Sequence, residues 1–307
     1  MIPSGHTISD GADRPTGNSS RRGGLRSDVK VPRRLRPGPL SHAAGYLSFH
    51  TIAAWFAFPL RFDRTTATLA RERSGGAVSP GQAQAHFSHR LFIEIDPGTL
   101  THRLDEKHLD HEGRWHWIGD HFLDADDWSG RLSPLAHSPA HREIVEICGT
   151  RHNFREGRHY RSYVQSLRQK RPVRRNGGRL DTIEKIDAYF RYYVDLIDNI
   201  ERAGVLPRNR FQRSADTGRR HRGFRSLWHD LVERDIGIAI GADGRLVRHT
   251  SGKHRLAAAI GLGLKRVPVE IRLVHLDWLE QQMGRFDLPP SSALQKALEE
   301  QRFGQQL

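Results

Sequence analysis

The stretch from Asp235 to Trp278, DIGIAIGADGRLVRHTSGKHRLAAAIGLGLKRVPVEIRLVHLDW, limits the folds open to this chain more than any other. Asp235 to Ile240 is a short apolar run that predicts a strand. Ala242-Asp243-Gly244 predicts a turn, and Arg245 to His249 a second strand with period-two alternation, so the pair makes a hairpin. Thr250-Ser251-Gly252 then supplies a cap and a flexible residue ahead of Lys253 to Ile260, a run of strong helix formers closed by Gly261 and Gly263. Val267 to Val274 returns as a β-branched strand. Lys253, His254 and Arg255 fall where the helix begins, and there unpaired backbone N–H groups and the positive end of the helix dipole favour an anion.

The charge balance agrees with such a ligand. Lysine and arginine number 49 against 35 carboxylates, a net charge of +14, which favours nucleotides, nucleic acid or anionic surfaces as partners. The single cysteine, Cys148, excludes an intramolecular disulfide framework and a cysteine-rich metal site, and fits a reducing cytoplasm. It sits in the apolar pattern Ile144, Val145, Ile147, Cys148, as a core residue would.

Residues 1–85 read as a low-complexity extension. The first 40 are rich in Gly, Ser, Pro and Arg without periodicity, so they are expected to be disordered. Within the extension, residues 43–60 form the one apolar segment. Gly45, His50 and Pro59 interrupt it, so it is too broken to span a bilayer and reads as a packed or interfacial helix, with docking to a membrane surface as a further reading. RERSGGAVSPGQAQA, residues 71–85, reads as a linker.

Globular character begins near His89, where Leu91, Ile93 and Ile95 alternate up to a turn at Asp96-Pro97-Gly98. Between His108 and Trp128, His108, His111, His116 and His121 share space with Asp110, Asp120, Asp124, Asp126 and Asp127. Histidine with carboxylate suits zinc or a non-haem metal, and carboxylates alone suit magnesium; a polar loop anchored by tryptophan explains the same residues.

A helix is expected over His141 to Glu156 and another from Tyr160, with Tyr163, Val164 and Leu167 at helical spacing. From Arg151 to Leu180 there are nine arginines and one lysine against one glutamate. Arg168, Lys170, Arg171, Arg174 and Arg175 could lie on nucleic-acid phosphates while Tyr160 and Tyr163 stack, or form a solvated loop. Asp181 to Glu184 matches a capping box opening a long amphipathic helix that ends at Gly204.

The run Ser251-Gly252-Lys253-His254-Arg255-Leu256-Ala257-Ala258-Ala259, followed by Leu262-Gly263-Leu264 and Val267-Pro268-Val269, resembles the ParB/sulfiredoxin superfamily. Gly119-Asp120, Asp124, Asp126-Asp127-Trp128 and Val274 to Trp278 look like an uncharacterised branch of it. The resemblance implies an α+β fold: a small mixed-sheet domain over residues 86–285 with a helical, arginine-rich insertion at about 140–225, a disordered N-terminal extension, and a tail or short helix over 286–307. It also implies a nucleotide (ATP, ADP or CTP, with Mg2+) whose phosphates lie on Ser251, Gly252, Lys253, His254 and Arg255. Lys253 stands where sulfiredoxins carry a catalytic cysteine and ParB clamps an acidic residue, so neither activity carries over.

Two functional expectations follow. One is a cytoplasmic nucleotide- or phosphate-binding protein that transfers a phosphoryl group. In it His254, Asp120 and Asp124 act on the reacting groups, and Asp126 and Asp127 hold magnesium. The other is a non-catalytic protein that binds nucleic acid through its arginine-rich segments.

Overall fold

The computed structural model describes residues 52–104, 107–109, 115–117, 121–175, 178–206, 235–249 and 252–304. In chain order they form α1 (Ile52–Glu72), β1 (Gly76–Ala77), α2 (Pro80–Phe87), β2 (Phe92–Ile95), β3 (His102–Leu104), β4 (Lys107–Leu109) and β5 (Trp115–Trp117). There follow β6 (Leu123–Asp124), β7 (Leu132–Pro134), α3 (Pro139–Thr150), α4 (Arg158–Arg168), β8 (Arg174–Arg175), β9 (Gly178–Arg179) and α5 (Ile183–Ala203). The C-terminal part is β10 (Gly237–Ile240), β11 (Leu246–Arg248), α6 (Lys253–Gly261), β12 (Val267–His275), α7 (Leu276–Phe286) and α8 (Pro290–Gly304). Among the described residues the architecture is mixed α/β, with eight helices, one mixed sheet of eight strands and two small ladders, β4–β5 and β8–β9.

The sheet is built around β12, whose nine residues are long enough to serve three partners. One edge pairs in parallel with β10, which forms the expected hairpin with β11. The other edge is shared, since β2 runs antiparallel along Val267 to Glu270 and β6 runs parallel along Val274 and His275. The early strand read from Ile93 and Ile95 therefore lies beside the late one read from Val267 and Val269. β11 continues to β3 and then β7. The register between β10 and β12 slips between Ile238 and Ala239, so Arg272 is left as the extra residue of a bulge.

Side-chain alternation divides the sheet into two faces. Ile238, Ile240, Val267, Val269, Ile271 and Val274 join the main core with α6 and the flanking helices, whereas Ala239, Val247 and Leu273 join a smaller cluster with Leu104 and Trp128. The apolar faces of α3 and α5 close over α6, whose Leu256, Ala257, Ala258 and Ala259 are wholly buried. Small side chains permit a close approach: a Cβ at Gly261 would lie 2.7 Å from the Sγ of Cys148. Cys148 is a core residue as the apolar pattern suggested, and burial pushes its thiol up to about 11.

Three local expectations change. Residues 71–85 are not a linker, because Ser79 opens α2 with a full capping box: its hydroxyl accepts from Gln82 N, and Gln82 Oε1 accepts from Ser79 N. Phe58, Phe62 and Leu69 of α1 and Phe87 of α2 are buried, so the core extends well ahead of residue 86. The part of the 43–60 segment that is described opens α1 and continues through Pro59; residues 43–51 and the expected disordered stretch lie outside the described residues. No helix among the described residues is long and apolar enough to cross a membrane. At the other end, α8 buries Ala293, Leu294 and Leu298, and Ser291 N donates to Asp63 Oδ1 of α1 at 2.8 Å, so this segment is part of the fold.

The helical insertion is observed through α3, α4 and α5, while residues 207–234 lie outside the described residues. The N-cap of α5 is Thr182, one residue later than the capping-box reading; its hydroxyl accepts from Lys185 N at 3.3 Å. Ile186, Phe190, Tyr193, Ile197 and Ile200 form its buried stripe, and Gly204 ends it with a φ of +70°.

Candidate functional site

Helix α6 starts hard against strand β10. Gly252, its N-cap, has a φ of +78°, and a Cβ there would stand 2.6 Å from Ile236 Cα. Only glycine meets both demands, the left-handed backbone and the close approach. It also provides no side chain to cap the helix, and no side-chain cap bond is made. The first helical bond runs from Leu256 N to Gly252 O at 2.9 Å, so the N–H groups of Lys253, His254 and Arg255 have no partner within the helix. Lys253 is exposed at this end, and Ser251 lies outside the described residues.

His254 and Arg255 are built into the fold on either side of that start. The His254 ring meets Tyr193 edge-on with centroids 5.0 Å apart, and the buried tyrosine hydroxyl lies 3.4 Å from Nδ1. The α5 stripe thus fixes the imidazole. Arg255, its side chain 13% exposed, reaches Asp235 Oδ1 and the Leu206 carbonyl, each at 3.5 Å. Burial pulls its pKa below the usual guanidinium value, and Asp235 opposes that shift. One side chain therefore holds the chain on both sides of residues 207–234.

The expected carboxylates do not join this group. Asp124 pairs in register with His275, near the far end of β12, whereas Gly252 adjoins Ile236, one residue before the Gly237 to Glu270 register. Five strand residues separate those positions, about 16 Å. Each carboxylate also has local work. Asp124 is buried, and its Oδ1 accepts from Trp128 Nε1 at 2.8 Å and Asp126 N at 2.9 Å; burial raises its pKa despite these bonds. Asp126 accepts from Gly75 N at 2.6 Å and from Arg131. Asp127 accepts from the amide and hydroxyl of Ser129, which hold its carboxyl below the usual range. The loop anchored by Trp128 is what these residues build, and Asp120 lies outside the described residues.

A histidine-rich metal centre is not assembled either. His108 and His116 are partners in the β4–β5 ladder, His121 packs on Gly76, and His111 lies outside the described residues. Among the described residues no three His, Cys, Asp or Glu side chains are grouped to hold a metal ion.

The arginine-rich segment divides in two. Arg168, Lys170, Arg171 and Arg174 are exposed, whereas Arg175 donates to Tyr163 Oη at 2.5 Å and pairs with the buried Glu143 at 3.3 Å. Tyr160 and Tyr163 are not available to stack on bases. Their helical spacing places both on the buried stripe of α4, where Tyr160 donates to Asp187 and Tyr163 to Glu143, each at 2.6 Å.

Sequence reasoning missed the acidic partners Glu143, Asp187 and Asp235, and it passed over His249. That residue is wholly buried, its amide donates to the Gly237 carbonyl at 2.8 Å, and neither ring nitrogen has a hydrogen-bond partner. Burial, then the charges of Arg272 and Arg248, pull its pKa down to about 3. An unmade hydrogen bond to a buried group costs about 1–3 kcal/mol. The strand alternation that placed His249 was legible; its lack of a partner was not.

Comparison of the chain with protein-family models, characterised proteins and solved structures gives no match.

Proposed function

We propose that this protein binds a phosphate-bearing ligand, and by its resemblance to the ParB/sulfiredoxin superfamily a nucleotide, at the start of α6. The observation that carries the reading is the uncapped helix start: its N–H groups stand beside the exposed Lys253, and Gly252 leaves the approach clear of any side chain. Lys253 supplies a mobile positive charge to phosphate oxygens. Arg255 contributes from a fixed position, partly offset by Asp235. If phosphoryl transfer follows binding, His254 is the group placed to exchange a proton with the acceptor, held in orientation by Tyr193. The described carboxylates do not fit a magnesium site beside this loop, so His254 is the catalytic candidate that remains.

The test is a thermal-shift titration of the full chain with ATP, ADP, CTP and GTP, with and without magnesium, beside Lys253→Ala. Lys253 is exposed, so its removal leaves the core intact. A ligand at a hundredfold excess over its Kd stabilises by about 2.7 kcal/mol, a readily measured shift. The reading requires a shift in the wild type that weakens in the variant. Equal responses, or none, refute it.

A second reading, polynucleotide binding, is favoured by one feature: Arg168, Lys170, Arg171 and Arg174 are all exposed along the end of α4 and the following ladder. It requires affinity that falls steeply with salt, with a slope of roughly −0.9 per phosphate neutralised on duplex DNA. An isotherm showing no affinity at low salt eliminates it.

A further inference from the structure

The unpartnered imidazole of His249 is the least explained polar group in the described fold. Buried side-chain polar atoms nearly always have at least one partner, and here both nitrogens of one ring lack any. His249 follows β11 and alternates with Val247, so it lies on the smaller-cluster side of the sheet, away from the face that α6 covers. On that side β12 contributes Glu270 and Arg272. Arg272 is the extra residue of the bulge, a device by which strands re-aim a side chain. Its guanidinium stands 3.8 Å from Glu270, a long ion pair, in a nearly buried setting.

The chemistry of a complementary ligand follows from the field at the ring. The charges that act on it are those of Arg272 and Arg248, both positive. A metal cation would meet repulsion there. An oxyanion would be attracted, and would accept the hydrogen bond that the neutral ring has to give. We infer that His249 and Arg272 form an oxyanion site, separate from the start of α6, which takes a phosphate-sized group on the opposite face of the sheet. The imidazole donates from one nitrogen to an anion oxygen, and Arg272 balances the charge. Both a free inorganic ion and the phosphate of a larger ligand present these oxygens.

The experiment titrates the full chain with inorganic phosphate at constant ionic strength, with chloride as the control, following thermal stability. ATP and ADP form a second arm that separates the two sources of phosphate. The variants are His249→Phe, His249→Gln and Lys253→Ala. Phosphate is expected to stabilise the wild type and Lys253→Ala alike, and His249→Phe is expected to bind at least about tenfold more weakly, about 1.4 kcal/mol. His249→Gln keeps an N–H donor and is expected to retain most of the affinity. Should His249→Phe fail to fold, imidazole 15N shifts of the wild type with and without phosphate decide the matter, and unmoved His249 signals overturn the inference. So does a His249→Phe protein that folds and responds to phosphate as the wild type does; the ring would then hold only a buried water. A response lost in Lys253→Ala but kept in His249→Phe also overturns it, and assigns the phosphate to α6 instead.

Discussion

Replacing Gly252 by alanine perturbs one methyl group, and the structure gives the size of the effect. A non-glycine residue at a φ of +78° sacrifices about 1–2 kcal/mol. The added Cβ would also stand 2.6 Å from Ile236 Cα and 2.8 Å from Ile236 Cγ1, so helix or strand must move, and overpacking of this kind costs about 1–3 kcal/mol. The sum, about 2–5 kcal/mol, is a large part of the stability of an ordinary domain. Gly263→Ala is the matched control, because Gly263 also has a positive φ, +67°, but nothing lies within 4 Å of its would-be Cβ. It carries the backbone cost alone. Urea denaturation of both variants isolates the contact with Ile236 as a difference of about 1–3 kcal/mol, and thermal denaturation adds a check at about 2–4 °C per kcal/mol for a chain of this size. If Gly252→Ala is no less stable than Gly263→Ala, the packing of α6 against β10 described above is incorrect.

Arg255→Ala strands the buried Asp235 and is expected to cost about 3 kcal/mol or more in urea denaturation, while addition of Asp235→Asn restores part of that loss; a double variant as unstable as the single one contradicts the pairing. Asp124→Asn keeps the Oδ1 that accepts from Trp128 and Asp126. Because burial raises the Asp124 pKa, its protonated form favours folding: that stability is present below the ordinary value of 3.8 and is lost as pH rises through the higher folded value. Asp124→Asn is therefore expected to be at least as stable as the wild type at pH 7, and a large loss there refutes the loop-anchor role. For His249 the fold keeps the ring neutral down to about pH 3, against 6.5 for an ordinary imidazole. As pH falls below 6.5 the unfolded chain takes up a proton that the fold refuses, so stability drops between 6.5 and 3 with a slope of up to about 1.4 kcal/mol per pH unit. Urea midpoints measured across that range should lose this component in His249→Phe, and an unchanged profile contradicts the burial of the ring.

What the sequence made legible was local. The hairpin around Asp243-Gly244, α6 between Gly252 and Gly261, and the long α5 ending at Gly204 follow from turn glycines and periodicity within single segments. The capping box at Ser79 and Gln82 was equally local, but Gly, Ser and Pro around it gave the composition of a linker. Pairings over distance were not legible. Arginines 155, 175 and 255 read as one basic surface, yet each answers a carboxylate on another element, Asp187, Glu143 and Asp235. Tyr160 and Tyr163 showed the spacing of a buried stripe, and the arginines around them made that stripe look like a surface. Asp124 and Gly252 fall in one motif-bearing domain, but only the register of β12 with β6 and β10 shows them at opposite ends of a strand. A motif names residue types, whereas sheet register decides which of them meet.

The most direct test of the central claim is a backbone amide NMR titration of the full chain with ATP and ADP, with and without magnesium. Ligand phosphates seated on the start of α6 should shift the amides of Lys253, His254 and Arg255 first and most strongly, and Lys253→Ala should weaken the response. Saturating nucleotide that leaves those three amides unmoved, or that moves only the segment around Arg168 to Arg174, contradicts it.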